Sequence, residues 1–214
     1  MALRYDCTTA SGRIDGLRAA ALAVSRGELV VLPTDTVYGI GADAFDRDAV
    51  DRLLEAKGRD RAMPSPVLVA SPDALHDLVS DFPDQGWALV KAFWPGGLTL
   101  IARHQPSLTW DLGETHGTVA VRMPSHPVAL ELLAETGPMA VSSANLTGHA
   151  SPQDCDAAQG MLGDSVAVYL DGGPTEAAVA SSIVDLTGPV PVLKRAGAIS
   201  AEDLRKVVPD LQVP

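Results

Sequence analysis

The chain has 214 residues, 46% hydrophobic and 20% charged, with a mean hydropathy of +0.13; this excludes a disordered tail protein and supplies enough apolar side chains for one core. No run approaches the roughly 18 apolar residues of a membrane-spanning helix. Its 16 basic and 27 acidic residues leave a formal charge of −11, so the molecule repels phosphate backbones and anionic lipid, and any anion it binds must meet a local basic pocket.

One domain over residues 1–214 is the default expectation, because no repeat, low-complexity tract or long Pro/Gly/Ser linker divides the chain. Ile14, Leu17, Ala21 and Val24 recur at helical spacing up to Gly27, and the continuous apolar run 29–32 reads as a strand covered on both faces. A loop is expected over 33–45. Asp46 then caps a helix with the stripe Val50, Leu53 and Leu54, ending at Lys57 with Gly58 as its stop. Strands are expected at 67–70, 98–102, 119–123, 139–142, 166–170, 183–186 and 192–194, and helices at 72–80, 85–93, 127–136, 152–161 and 200–208. Ser151 before Pro152 reads as one helix cap, and Ser200 with Asp203 as another. The alternation predicts an α/β fold with a mixed sheet.

Cys7 and Cys155 lie far apart with no C-x-x-C spacing, which excludes a zinc ribbon or disulfide framework and favours a reducing cytoplasm. Residues 1–25 carry Arg4, Arg13 and Arg18 without a contiguous apolar stretch, so no secretory signal is expected. Gly39, Gly41 and Ala44 satisfy a loose dinucleotide fingerprint, but six residues separate Leu32 from Gly39 and the helix cap comes only at Asp46, so that site is rejected. The five histidines have no spacing that nominates a base or a zinc pair, neither serine pair sits in a nucleophile elbow, and no metal ligands are expected from the protein.

Four features have both a structural and a ligand-binding reading. The loop Pro33-Thr34-Asp35-Thr36-Val37-Tyr38-Gly39 is either a self-satisfied turn or a polar ligand site at a strand's carboxyl end. Lys57, Arg59 and Arg61 either complement a helix terminus or meet phosphates. Arg122, alternating with Val121 and Met123, either pairs with a structural carboxylate or grips a ligand carboxylate from a groove. Ser142-Ser143-Ala144-Asn145 and Ser181-Ser182 place hydroxyls at strand ends, where either set can bind oxyanions.

Residues 33–42, Lys57-Gly58-Arg59, 93–99, Val121-Arg122-Met123-Pro124, Ser142-Ser143-Ala144-Asn145, 181–185 and Arg195-Ala196-Gly197 together resemble the YrdC-like threonylcarbamoyl-AMP synthase family, its short single-domain branch, over residues 14–197. The resemblance implies a twisted mixed α/β sheet with flanking helices and a concave basic groove. It implies condensation of L-threonine, bicarbonate and ATP to L-threonylcarbamoyladenylate and pyrophosphate, for N6-threonylcarbamoyladenosine at position 37 of tRNA, with downstream transfer proteins acting on the tRNA itself. Threonine-side contacts would be Thr36, Arg122, Val141 and Ser181. Nucleotide-side contacts would be Lys57, Arg59, Thr118, Ser143, Asn145, Ser151 and Arg195, with Lys57, Arg59 and Arg122 central to catalysis and Tyr38 shaping the groove. Mg²⁺ would be held mainly by the ATP phosphates. Many relatives have Asn where this chain has Met63, and His where it has Leu68, so those two contacts depart from the family pattern. Alternatives are a paralogue with other amino acid selectivity and a double-stranded RNA-binding module, the latter opposed by the charge of −11.

Overall fold

The apolar residues after Gly27 form a fully buried strand, Val30–Leu32 (β2), as a run without polar alternation requires. In the computed structural model, which describes residues 2–175 and 179–213, the other strands are β1 (Leu3–Asp6), β3 (Gly39–Asp43), β4 (Val67–Leu68), β5 (Leu98–Arg103), β6 (Thr118–Arg122), β7 (Met139–Ser143), β8 (Val168–Asp171), β9 (Ser182–Asp185) and β10 (Val192–Arg195). The helices are α1 (Ala10–Ser25), α2 (Arg47–Lys57), α3 (Leu75–Leu78), α4 (Asp84–Phe93), α5 (Pro127–Thr136), α6 (Cys155–Leu162) and α7 (Ala201–Val207). The strands make one mixed sheet in the order β1-β8-β2-β3-β7-β4-β6-β5-β9-β10. Parallel pairs such as β4–β6 and β5–β9 alternate with antiparallel ones such as β3–β7 and β5–β6.

The sheet separates two apolar layers. On one face α1 and α5 set Ala20, Ala23, Leu132 and Leu133 against Leu32, Met139, Val168 and Leu170. On the other, α2, α4, α6 and α7 set Leu53, Leu89, Ala158 and Leu204 against Val31, Val67, Val121 and Val184. The α1/α5 pair does not reach the second half of its face. Over β6, β5 and β9 the residues on that side, Ala120, Ile101 and Ile183, stay partly exposed while their neighbours Val121, Leu100 and Val184 are buried beneath the opposite helices. A half-covered sheet face is the groove.

The cap of α2 is as expected: the Asp46 side chain accepts from Ala49 N, and Gly58 takes a left-handed φ of 61°, letting Arg59 N–H reach Leu54 O at 2.9 Å. Ser200 likewise caps α7. Three expectations need correction, and one strand was not anticipated. The 33–45 loop contains β3, because Gly39 and Gly41 leave room for Val141 and Met139 of β7, whose side chains would lie 2.7 and 2.9 Å from any Cβ there. The 72–80 helix is a 3₁₀ turn at Pro72–Ala74 followed by the single-turn α3, since Val79 bridges to His104 and Ser80 N bonds Arg103 O. The 152–161 helix starts later, capped by Asp154 rather than Ser151, because Pro152 O is taken by Tyr38 N at 3.0 Å. Strand β1, pairing in parallel with β8, had no sequence signal beyond four partly polar residues. Cys7 and Cys155 are both buried free thiols.

Candidate active site

Strand pairing builds the floor of a cavity across the open half of the sheet. Arg195 lies opposite Ile183, Ile183 opposite Thr99, Leu68 opposite both Arg122 and Met139, Gly41 opposite Val141, and Gly39 opposite Ser143. Thr34, Thr36, Pro64, Pro66, Ser151 and Ser181 raise the walls around a volume of about 270 Å³. That is near the lower end of the roughly 300–1,000 Å³ usual for small-molecule sites. The guanidiniums of Arg59, Arg122 and Arg195 all border it, in a chain carrying −11 overall.

Each arginine is held differently. Arg122 is almost fully buried and donates from Nε to Gly96 O at 2.9 Å, from Nη1 to Thr36 Oγ1 at 2.9 Å and from Nη2 to Asp35 Oδ1 at 2.7 Å. Arg122 therefore pairs with a structural carboxylate, Asp35, and also lines the cavity. Arg195 donates twice to Ser181 O and once to Ser181 Oγ, which itself lies 2.8 Å from Thr99 Oγ1. Arg59 donates from Nη1 to Ser142 Oγ at 3.2 Å, and its buried Nε has no hydrogen-bond partner. Burial pushes all three pKa values down, at Arg122 against the pull of Asp35, yet a guanidinium remains charged at any working pH.

The 33–39 loop divides its labour. Thr34 Oγ1 donates to Val37 O and accepts from the N–H groups of Thr36 and Val37, which is the self-satisfied turn, while Thr36 meets Arg122 at the cavity wall. Tyr38, fully buried, donates its hydroxyl to Gly173 O at 2.6 Å and accepts from Gly172 N, tying this loop to the segment after β8.

Of the residues expected to contact ligand, Thr36, Arg59, Arg122, Val141, Ser143, Ser151, Ser181 and Arg195 come together at the cavity, as does Leu68. Four others do not reach it. Lys57 is fully buried and spends its ammonium on Ser143 O and, at 2.7 Å, Asn145 O; burial and then the charge of Arg59 push its pKa down to about 8. Asn145 is buried too, its amide N–H groups donating to Leu146 O and His149 O while its Oδ1 has no partner. Both act from behind the wall, shaping the 143–151 segment that carries Ser143 and Ser151. Thr118 shares a strand face with Arg122 but stands four residues, about 13 Å, along it, and its hydroxyl turns back to Thr115 O at 2.8 Å. Met63 is exposed to solvent. Thr99 was not nominated, and Ser142 and Asp35 entered only as members of the 142–145 hydroxyl cluster and the 33–39 loop. Thr99 had a usable signal, since a threonine between Leu98 and Leu100 in a strand must face the opposite side from them.

A larger cavity of about 630 Å³ opens between the end of α1 and the start of β2, but its Arg26 and Arg52 are balanced by Glu28 and Asp164, and Arg52 is already bonded to Gly27 O. The smaller one instead gathers three guanidiniums with Asp35 as their one carboxylate partner among the described residues. Among the described residues no histidine, cysteine, aspartate and glutamate group could hold a metal, and no helix is long and apolar enough to cross a membrane.

Three guanidiniums and a ring of hydroxyls on the open face of a mixed α/β sheet define a binder of small, polar, anionic molecules. The family model Sua5_yciO_yrdC, described as "Telomere recombination", matches residues 23–197. A Mycobacterium tuberculosis protein provisionally named threonylcarbamoyl-AMP synthase is 55% identical over 204 residues, covering 95% of this chain and 94% of that protein. The threonylcarbamoyl-AMP synthase of Bacillus subtilis is 41% identical over 196 residues, 91% of this chain and 57% of that one. Among solved structures, Pyrococcus abyssi Sua5 complexed with L-threonine matches with a TM-score of 0.93 at 35% identity, covering 100% of this chain, which spans 62% of that one. The chain belongs to the Sua5/YciO/YrdC family.

Proposed function

We propose that this cavity joins L-threonine, bicarbonate and ATP into L-threonylcarbamoyladenylate, releasing pyrophosphate, for downstream transfer proteins that build N6-threonylcarbamoyladenosine in tRNA. The observation that carries the reading is the convergence of Arg59, Arg122 and Arg195 on one small hollow of an acidic chain. In the reaction the free amine of threonine attacks bicarbonate with loss of water, or CO₂ with release of a proton to solvent, and gives a carbamate either way. A carbamate oxygen then attacks the α-phosphorus, and the α–β bridging electrons leave with pyrophosphate.

Arg122 is fitted to the threonine carboxylate: three of its five N–H groups are engaged, so two remain for a ligand. Thr36 and Ser181 orient the remaining polar groups, and Leu68 and Val141 supply an apolar floor. Arg59, Arg195, Ser143 and Ser151 take the nucleotide side, offsetting phosphate charge. Among the described residues, the titratable groups lining the cavity are the three arginines. Alignment and charge stabilisation are what these groups can supply to catalysis.

Mg²⁺ fits this donor set when it arrives on the triphosphate. Asp35 is committed to Arg122, while the hydroxyls of Ser143 and Ser151 on the cavity wall are hard oxygen donors that could supplement phosphate oxygens. The ion would supply neutralisation of phosphoryl oxygen charge. The two free thiols support a reducing, cytoplasmic setting.

Leu68 on the floor favours one narrower alternative, a related enzyme with different amino acid selectivity. The test is pyrophosphate release from ATP with bicarbonate and either threonine or serine. Release that depends on threonine supports the reading. Equal release with serine moves it to the alternative, and no release with either removes it.

A further inference from the structure

Arg61, like Lys57, is a cation of the 57–61 cluster that does not line the cavity, and it is heavily paired. Its guanidinium donates to Asp51 on α2 and to Asp111 in the loop between β5 and β6. Arg47 closes the same network, 3.3 Å from Asp111 and 3.9 Å from Asp51. The backbone carbonyl of Arg61 accepts from Glu114 N at 2.8 Å, and Gly113, with φ of 104°, packs so closely on that carbonyl that a Cβ would lie 2.7 Å away. Arg61 therefore fastens the 59–66 segment to α2 on one side and to the β5–β6 loop on the other.

That segment carries Arg59, Pro64 and Pro66, all on the cavity. Arg59 is the least restrained of the three arginines: its guanidinium makes one hydrogen bond at 3.2 Å, where Arg122 and Arg195 make three each. Its direction has to come from the backbone. On the N-terminal side, Arg59 N–H is fixed to Leu54 O by the glycine cap of α2. Two residues on, and among the described residues, the Arg61 contacts are the hydrogen bonds that tie the chain to a neighbouring element before Pro66 O meets Val141 N.

We propose that Arg61 is a positioning residue for nucleotide recognition: its clamp between Asp51 and Asp111 sets the direction in which Arg59 enters the cavity. Arg61 touches no ligand. The proposal rests on the cavity's being an ATP site, and its test separates the two. Binding of α,β-methylene-ATP and of L-threonine is measured by calorimetry on the full chain. Arg61→Ala weakens the nucleotide analogue about threefold to tenfold, the scale of two partly exposed ion pairs lost together. Threonine affinity stays within about twofold, as for a site with no shared partner. Asp111→Asn shifts nucleotide binding in the same direction, the Arg61→Ala/Asp111→Asn pair is no worse than Arg61→Ala alone, and Arg61→Lys recovers part of the loss. Equal weakening of both ligands marks a general structural role and overturns the proposal, as does unchanged nucleotide binding in Arg61→Ala. A wild-type chain that binds threonine but no nucleotide overturns the ATP reading instead.

Discussion

Arg122 donates to Asp35 at 2.7 Å, and Asp35 is the one carboxylate, among the described residues, ion-paired with any of the three cavity arginines. The same Asp35 oxygen also accepts Ser125 N–H at 2.9 Å, so the backbone at Ser125 helps hold the carboxylate against the guanidinium. A substrate carboxylate thus meets a fork already aimed, which lowers the ordering cost of binding.

Arg122→Ala is expected to lower kcat/KM for threonine about 100-fold or more, because truncating one member of a buried charge pair typically costs about 2–5 kcal/mol. It also strands Asp35 in a mostly buried position. The melting temperature should therefore fall, and adding Asp35→Asn should restore much of it without restoring turnover. Thermal melts alongside steady-state kinetics check both halves; recovery of turnover in the double variant would show that Arg122 serves the fold alone.

Arg59→Ala should divide the substrates the other way. With a single hydrogen bond to Ser142, this guanidinium contributes little to the fold and has most of its donors left for phosphate. The KM for ATP should rise about tenfold or more, on the scale of one charged hydrogen bond, while the threonine KM changes far less. Initial rates with each substrate varied in turn measure the split.

Local patterning made the sheet legible where burial is simple: 29–32, 98–102 and 139–142 read as strands because apolar runs and alternation state which faces are covered. β3 was hidden because two glycines, poor strand formers in isolation, are there to admit Val141 and Met139 from a strand about a hundred residues away. The site was legible through its motifs, and eight of its expected contacts do share one cavity. The reasoning that nominated Arg59, which lines the cavity, also nominated Lys57 and Asn145, which lie behind its wall. Residue type announces a polar group, but only tertiary packing decides whether it points at a ligand or, as with the Lys57 ammonium, at the carbonyls of Ser143 and Asn145.

Gly197→Ala tests whether the far wall is rigid. A Cβ at Gly197 would lie 2.3 Å from Ala180 O and 2.5 Å from Ser181 C, both backbone atoms with no rotamer to yield. Something must move, and Ser181 is bonded to Arg195 and Thr99. Overpacking of this kind costs about 1–3 kcal/mol. Denaturant titration should show that loss, and kcat/KM should fall for threonine and ATP together because the displaced wall serves both sides. Unimpaired kinetics would mean that the wall gives way without disturbing Ser181.

Lys57 makes stability depend on pH in an unusual direction. Burial lowers its pKa from the model-peptide value of 10.5 to about 8 in the folded chain, so between those two pH values the unfolded chain holds the proton more tightly. Folding is therefore penalised below about pH 8 and the penalty is relieved as pH rises toward 10.5, by up to about 3 kcal/mol at 1.36 kcal/mol per pH unit. The hydrogen bonds to Ser143 O and Asn145 O favour the charged form and reduce that figure. Lys57→Met removes the titration but leaves two carbonyls unpaired, a pH-independent loss of about 1–3 kcal/mol for each. The stability of wild type relative to Lys57→Met should then rise across pH 8 to 10.5 in urea titrations. A flat difference would mean that the two carbonyls hold the ammonium charged throughout.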